Sequence, residues 1–394
     1  MQSVPKMLNE LSEDVRSFYS CTHIKRMHRP TALEFMRECV SAHQPVILEG
    51  MLEDWPAMRT WASTEGFLSA CPARVNVNFT PDGRADSVRK AASTGPEDAA
   101  ADKVKDGNGA SVFVEPLEVS ISTQLLMQML ESPKKGDAVP YLSAQNDNLR
   151  QQMPDLLSYC AESLPLADEC FGMLPEAVNL WVGDERSVSS THKDFFENMY
   201  CVVRGTKTFT LFPPTDVSYL PTGTYPRYTY VRTAGDDTAD TARPQKAHLN
   251  LVPVPVPDSD RDAISGGELQ EEEAALSKGA DGEEHGEAHS NSPHGIQWIW
   301  LDPEDPAAAT KHPAFAWASP LRIEVHAGEV LYLPAMWLHR VSQTCISIAV
   351  NFWYDMRFDL RYVLMKACQR LADANSEAAG CMAPAGTGGR QCSR

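Results

Sequence analysis

His192 and Asp194 stand two residues apart in the run Ser189-Ser190-Thr191-His192-Lys193-Asp194. On an extended strand, residues i and i+2 project from the same face, so an imidazole and a carboxylate point together. Far downstream, Leu331-Tyr332-Leu333-Pro334-Ala335-Met336-Trp337-Leu338-His339 ends in a second histidine. Two histidines and one carboxylate on one side of a metal leave three coordination positions open. That suits a non-haem Fe(II) that must also bind a cosubstrate and O2. His-x-Asp by itself is a weak signal, since an isolated match is ordinarily a surface pair near a turn.

A second residue with chemical potential is Lys207. In residues 199 to 212, Phe209 and Leu211 alternate with Thr208 and Thr210, which places Lys207 on the apolar face. A lysine facing a core is costly unless an anion meets it. One reading has the side chain snorkelling out beside Gly205, and the other reserves it for a carboxylate ligand. In residues 345 to 353, Ile346, Ile348 and Val350 share one face while Ser347, Ala349 and Asn351 share the other. The small residues ahead of Asn351 leave room for something bound beside its amide.

These residues need elements to hold them. Helical spacing of apolar residues predicts helices over residues 4 to 19, 32 to 42 and 119 to 130, and one or two over 153 to 164. Strands are expected at 45 to 50, 75 to 79, 139 to 142, 178 to 183 and 345 to 353. Residues 321 to 326 and 330 to 333 flank Ala327-Gly328-Glu329 and read as a hairpin. Leu360, Val363, Leu364, Ala367 and Leu371 mark a C-terminal helix, with a flexible tail over 376 to 394. Residues 91 to 110 read as a mobile loop. Strands dominate 178 to 354 and helices both ends. The expected fold is mainly β with flanking helices, around a double-stranded β-helix (jelly roll) core. Its expected division is an N-terminal region, 1–137, packing on a core domain, 138–375.

Composition bounds the function. The chain has 394 residues, 43% of them hydrophobic, enough for a sizeable core. Residues 234 to 295 hold 14 acidic against 4 basic side chains, a net of −10 within a formal charge of −18. This stretch, with Glu271-Glu272-Glu273 and the Pro253-Val254-Pro255-Val256-Pro257 run, reads as a disordered acidic insertion. The negative balance disfavours a nucleic-acid partner. No run is long enough to span a membrane and residues 1 to 6 lack a signal-peptide pattern. The ten cysteines show no CxxC spacing and are expected as free thiols in a reducing compartment, cytoplasmic or nuclear.

Several segments together resemble the JmjC-domain 2-oxoglutarate oxygenases, and among them a small lysyl hydroxylase. They are Pro45-Val46-Ile47 with Trp55-Pro56-Ala57; Thr80-Pro81-Asp82-Gly83-Arg84-Ala85-Asp86; His192-Lys193-Asp194 through Glu197-Asn198 to Val203; Ala327-Gly328-Glu329 through His339; and Ala349-Val350-Asn351-Phe352-Trp353-Tyr354-Asp355. The resemblance implies that His192, Asp194 and His339 hold Fe(II), with 2-oxoglutarate and O2 as cosubstrates. It implies that Lys207 pairs with the distal 2-oxoglutarate carboxylate, and that Tyr141, Ser189, Asn198 and Asn351 line the cosubstrate pocket. The implied reaction is C-3 hydroxylation of a lysine in a protein, a GTPase linked to translation, by an enzyme expected as a homodimer. A cationic target needs an acidic partner, and Asp82, Asp86 and Glu197 are the candidates. Rival readings are N-methyl-lysine demethylation, asparaginyl or RNA hydroxylation, and an inactive cupin scaffold. A broken triad or a missing lysine would mark the last, and neither occurs.

Overall fold

The computed structural model describes residues 4–19, 23–90, 111–232, 243–254 and 295–381. Two sheets form the core. The six-stranded sheet runs in the order Lys25–His28, Val46–Glu49, Val330–Leu333, Phe196–Arg204, Ser347–Asp355, Ala177–Gly183. The five-stranded sheet runs Leu321–His326, Thr206–Phe212, Leu338–Gln343, Val188–His192, Arg84–Ala85. From Ala177–Gly183 to Thr206–Phe212, and again from Leu321–His326 to Ser347–Asp355, successive strands fall in opposite sheets, the jelly-roll arrangement expected from the sequence.

Alternation explains the core. On Thr206–Phe212, Phe209 and Leu211 face inward, and on Phe196–Arg204, Tyr200 and Val202 do so. They meet Ile47, Leu331 and Val341 between the sheets. Each such side chain, fully buried, contributes about 1.5–3 kcal/mol. The opposite face of the six-stranded sheet carries Met199, Cys201, Val350 and Phe352 against Phe35, Trp55 and Leu149 of the helical flank. Strands of this sheet are therefore covered on both sides, and Ser347–Asp355 is buried over almost its whole length.

Two tight crossovers carry the chain between sheets. Gly205, at φ +80°, joins Phe196–Arg204 to Thr206–Phe212. Gly328, at φ +92°, lies between Leu321–His326 and Val330–Leu333. The turns bond each other's strands: Ala327 N donates to Gly205 O at 3.1 Å and Gly328 N to Val202 O at 2.9 Å. Leu321–His326 and Val330–Leu333 are consequently not the expected hairpin. The first pairs with Thr206–Phe212 and the second with Phe196–Arg204.

Other expectations shift. Leu117–Ser122 is a strand on Arg74–Thr80, and the helix starts only at Thr123, capped by Ser122 Oγ accepting from Leu125 N at 3.1 Å. Leu117, Val119 and Ile121 obey period two as well as a loose helical spacing, and sheet pairing decides between them. Residues 153 to 164 hold only the 3-10 turn Pro154–Ser158, after which a helix occupies Pro165–Phe171 with proline at its first turn. Residues 1–137 also supply strands to the two sheets: Lys25–His28, Val46–Glu49 and Arg84–Ala85.

The acidic insertion is narrower than expected. Leu249–Pro253 pairs with Arg227–Arg232, and Arg243 bonds Asp137 at 2.8 Å. Residues 233–242 and 255–294, and the loop over 91–110, lie outside the described residues. The C-terminal helix Leu360–Cys381 runs past residue 375, as its alanine-rich end favours, and 382–394 lie outside the described residues. Among the described residues no helix is long and apolar enough to cross a membrane. Cys39, Cys71, Cys160, Cys170, Cys201, Cys345 and Cys368 are free.

Candidate functional site

His192 ends one strand of the five-stranded sheet, and His339 lies directly opposite on its antiparallel neighbour. Their ring centroids are 4.3 Å apart. Asp194 follows the first strand and reaches back between them. Its carboxylate oxygens lie 3.7 Å from His192 Nε2 and 3.5 Å from His339 Nε2. One ligand atom from each of the three lies within 4.8 Å of the others.

The rest of each ring is fixed. His192 Nδ1 donates to Ser190 O at 2.7 Å and His339 Nδ1 to Trp337 O at 2.9 Å. A carbonyl only accepts, so Nδ1 carries the proton and the Nε2 lone pair is free for a metal. Burial, reinforced by His192, pushes the His339 pKa down to about 4, keeping the ring neutral as a ligand must be. Met336 N donates to Asp194 O at 2.7 Å, so the turn before His339 also holds the aspartate backbone. The Trp298 ring stacks on His192 at 5.9 Å and 9°.

A cavity runs inward from the triad, bounded by Tyr141, Trp181, Ser189, Asn198, Tyr200, Phe209, Asn351 and Trp353. Ser189 and His192 are an odd number of residues apart yet both face it. A bulge between them sets Ser189 against Val341 and His192 against His339, three residues against two. Behind Tyr141 lies Lys207, fully buried. Its Nζ bonds Tyr141 Oη at 3.2 Å and also Gln343 Oε1, and burial pulls its pKa down to about 7. Gln343 is oriented by its own amide, which donates to Asp184 O at 2.6 Å. Among the described residues no carboxylate pairs with Lys207. The Ser189 hydroxyl bonds Tyr141, whose own pKa burial raises.

Two amides form a chain along the wall. Trp181 Nε1 donates to Asn351 Oδ1 at 2.8 Å, and Asn351 Nδ2 donates to Asn198 Oδ1 at 3.2 Å. The Asn198 NH2 is left as a donor at the cavity. Tyr200 Oη and Trp353 Nε1 are buried there with no hydrogen-bond partner among the described residues. A metal triad, a buried cation and unpartnered donors around one cavity fit a metal-bound dicarboxylate. Parity would have exposed these residues: Tyr200 is two past Asn198, Trp353 two past Asn351, and Gln343 four past His339. Trp298 is brought in only by the fold.

The acidic candidates separate. Glu197 alternates with Asn198 and turns to the outer face, where it accepts from Tyr332 Oη at 2.8 Å and Ala335 N at 3.3 Å. Burial raises its pKa. It fixes the turn before His339 and does not face the cavity, so the sequence expectation of a substrate contact is corrected. Asp82 is also consumed, forming a paired contact with Arg89 at 2.7 and 2.6 Å. Asp86 lies beside the triad, its backbone carbonyl accepting from Ser190 Oγ.

Comparison with known proteins agrees with this geometry. A family model described as a cupin-like domain matches residues 32–360. The human bifunctional peptidase and (3S)-lysyl hydroxylase JMJD7 is 32% identical over 346 residues, 88% of this chain and 88% of that protein. JmjC domain-containing protein E of Dictyostelium discoideum is 32% identical over 370 residues, 90% of each chain. Lysine-specific demethylase JMJ32 of Arabidopsis thaliana is 32% identical over 380 residues, 93% of this chain and 91% of that one. With the jelly roll, the triad and these near full-length similarities in hand, the chain belongs to the cupin-like JmjC-domain oxygenases.

Proposed function

We propose that this chain is an Fe(II)- and 2-oxoglutarate-dependent hydroxylase acting at C-3 of a lysine in a protein. The observation that carries the proposal is a cavity with the facial triad at one side and, behind Tyr141, a buried lysine that no carboxylate among the described residues neutralises. Similarity to a (3S)-lysyl hydroxylase supports the choice of lysine and of carbon. A GTPase linked to translation is the first protein to try, on the strength of the family resemblance alone. The same resemblance supports a homodimer, and the free cysteines are in keeping with a cytoplasmic or nuclear setting.

His192 and His339 would hold the metal through Nε2, with Asp194 as the anionic ligand. Iron held there supplies O2 activation coupled to the oxidative decarboxylation of 2-oxoglutarate to succinate. Lys207 receives the far carboxylate of the cosubstrate, with the Tyr141 and Ser189 hydroxyls beside it. The Trp181–Asn351–Asn198 chain holds the Asn198 amide still, so that it binds without reorganising. The low-dielectric walls, Phe209, Val341 and Trp181, keep bulk water from the reacting atoms.

Similarity to a demethylase-named relative favours one alternative, removal of a methyl group from N-methyl-lysine. Incubation of iron-loaded protein with 2-oxoglutarate and matched unmethylated and methylated lysine peptides separates the two. The proposal expects one oxygen added to the unmethylated peptide. Formaldehyde from the methylated peptide alone would favour the alternative.

A further inference from the structure

We infer that Asp86 is the specificity-determining residue for the target, receiving the ε-ammonium of the substrate lysine at the mouth of the site. This rests on the proposed lysyl hydroxylase reading and deepens it. Ala85 pairs with Ser189 at the edge of the five-stranded sheet, so Asp86 sits level with Ser190, two residues from His192. Ser190 Oγ donates to Asp86 O and accepts from Trp298 Nε1 at 3.0 Å. One hydroxyl thus ties the aspartate to the tryptophan that stacks on the metal-binding His192.

Among the described residues no donor bonds the Asp86 carboxylate. Arg227 acts on it only electrostatically, being engaged with Glu115 at 2.8 Å. Burial and Glu115 accordingly push the Asp86 pKa up to about 6. A half-buried carboxylate with no bonded donor among the described residues, set beside a reaction centre, is ready to receive an incoming cation. The Trp298 ring, backed by buried Phe113 at a centroid distance of 4.8 Å, offers an apolar wall for the lysine stem. The other acids are excluded as anchors, because Asp82 is held by Arg89 and Glu197 faces outward.

A turn role would explain a short polar residue here but not a charge. Asp86 has φ +48°, where asparagine and glycine are accommodated equally well. Asp86→Asn and Asp86→Gly therefore remove the charge while suiting the backbone, and melting curves check that each is folded. The test compares kcat/KM for a lysine peptide with that for the same peptide carrying norleucine, which keeps the stem and drops the ammonium. Wild type should prefer lysine by tenfold or more, with the difference in KM, and the neutral variants should bring the ratio within about threefold of unity. An unchanged lysine preference in either folded variant overturns the role of Asp86. Wild type that turns over neither peptide, or norleucine as well as lysine, instead overturns the lysine reading on which the inference stands.

Discussion

A buried lysine with its pKa pulled down to about 7 titrates near neutrality, and this gives the cosubstrate site a pH signature. Burial favours neutral Lys207, and an arriving carboxylate favours the charged form, so the bound-state pKa lies above the free-state value. Affinity is then full below about pH 7 and falls as pH rises through it, by up to about tenfold per unit. Calorimetric titration of 2-oxoglutarate between pH 6 and 9 should show this fall in wild type, and Lys207→Arg should flatten it. Lys207→Ala loses a charge-assisted contact of about 1.5–3 kcal/mol, so the apparent 2-oxoglutarate constant should rise tenfold or more; an unchanged constant would return Lys207 to a packing role. His339→Ala should abolish stoichiometric iron binding, read by metal analysis after desalting. At this scale the sequence was informative where spacing or family pattern singled a residue out, as with His192, Asp194, His339 and Lys207. It misled at Glu197, which strand alternation turns away from its neighbour Asn198. Asp86 could not be separated from Asp82 until Arg89 was seen to hold the latter.

The strands were legible because they alternate, and their pairing was not, because pairing is decided by contacts far apart in the chain. Ala327-Gly328-Glu329 looks like the tip of a hairpin, yet it passes the chain from one sheet to the other. Gly205 does the same, and the two turns share hydrogen bonds at one end of the roll. Gly205 adjoins the strand that bears Lys207, and Gly328 precedes the strand that leads to the turn before His339. A Cβ at Gly205 would fall 2.4 Å from Ile346 O, and the φ of +80° already disfavours any other residue. Gly205→Ala should therefore cost about 1–3 kcal/mol, measured as a lower urea midpoint at constant slope. An unshifted midpoint would show that the crossover has slack. The bulge between Ser189 and His192 was likewise invisible in the sequence, since simple parity puts the two on opposite faces.

At the scale of the molecule, composition drew the acidic stretch too wide, because its polar and proline content does not separate paired backbone from the rest. Residues 243–254 are tied down by Arg243 on Asp137 and by pairing of Leu249–Pro253, although they carry the same polar, proline-punctuated look. Deleting 256–293 should leave the melting temperature within a few degrees, whereas deleting 234–295 removes that strand and should lower it clearly more. Equal melting of the two variants would contradict the boundary drawn here. The central claim concerns chemistry, and mass spectrometry under heavy-isotope O2 addresses it most directly. Iron-loaded protein, 2-oxoglutarate and an unmethylated lysine protein substrate should yield a product carrying one labelled oxygen on the lysine side chain, with succinate formed in step. Turnover confined to methyl-lysine, with formaldehyde released and no label retained, would contradict it.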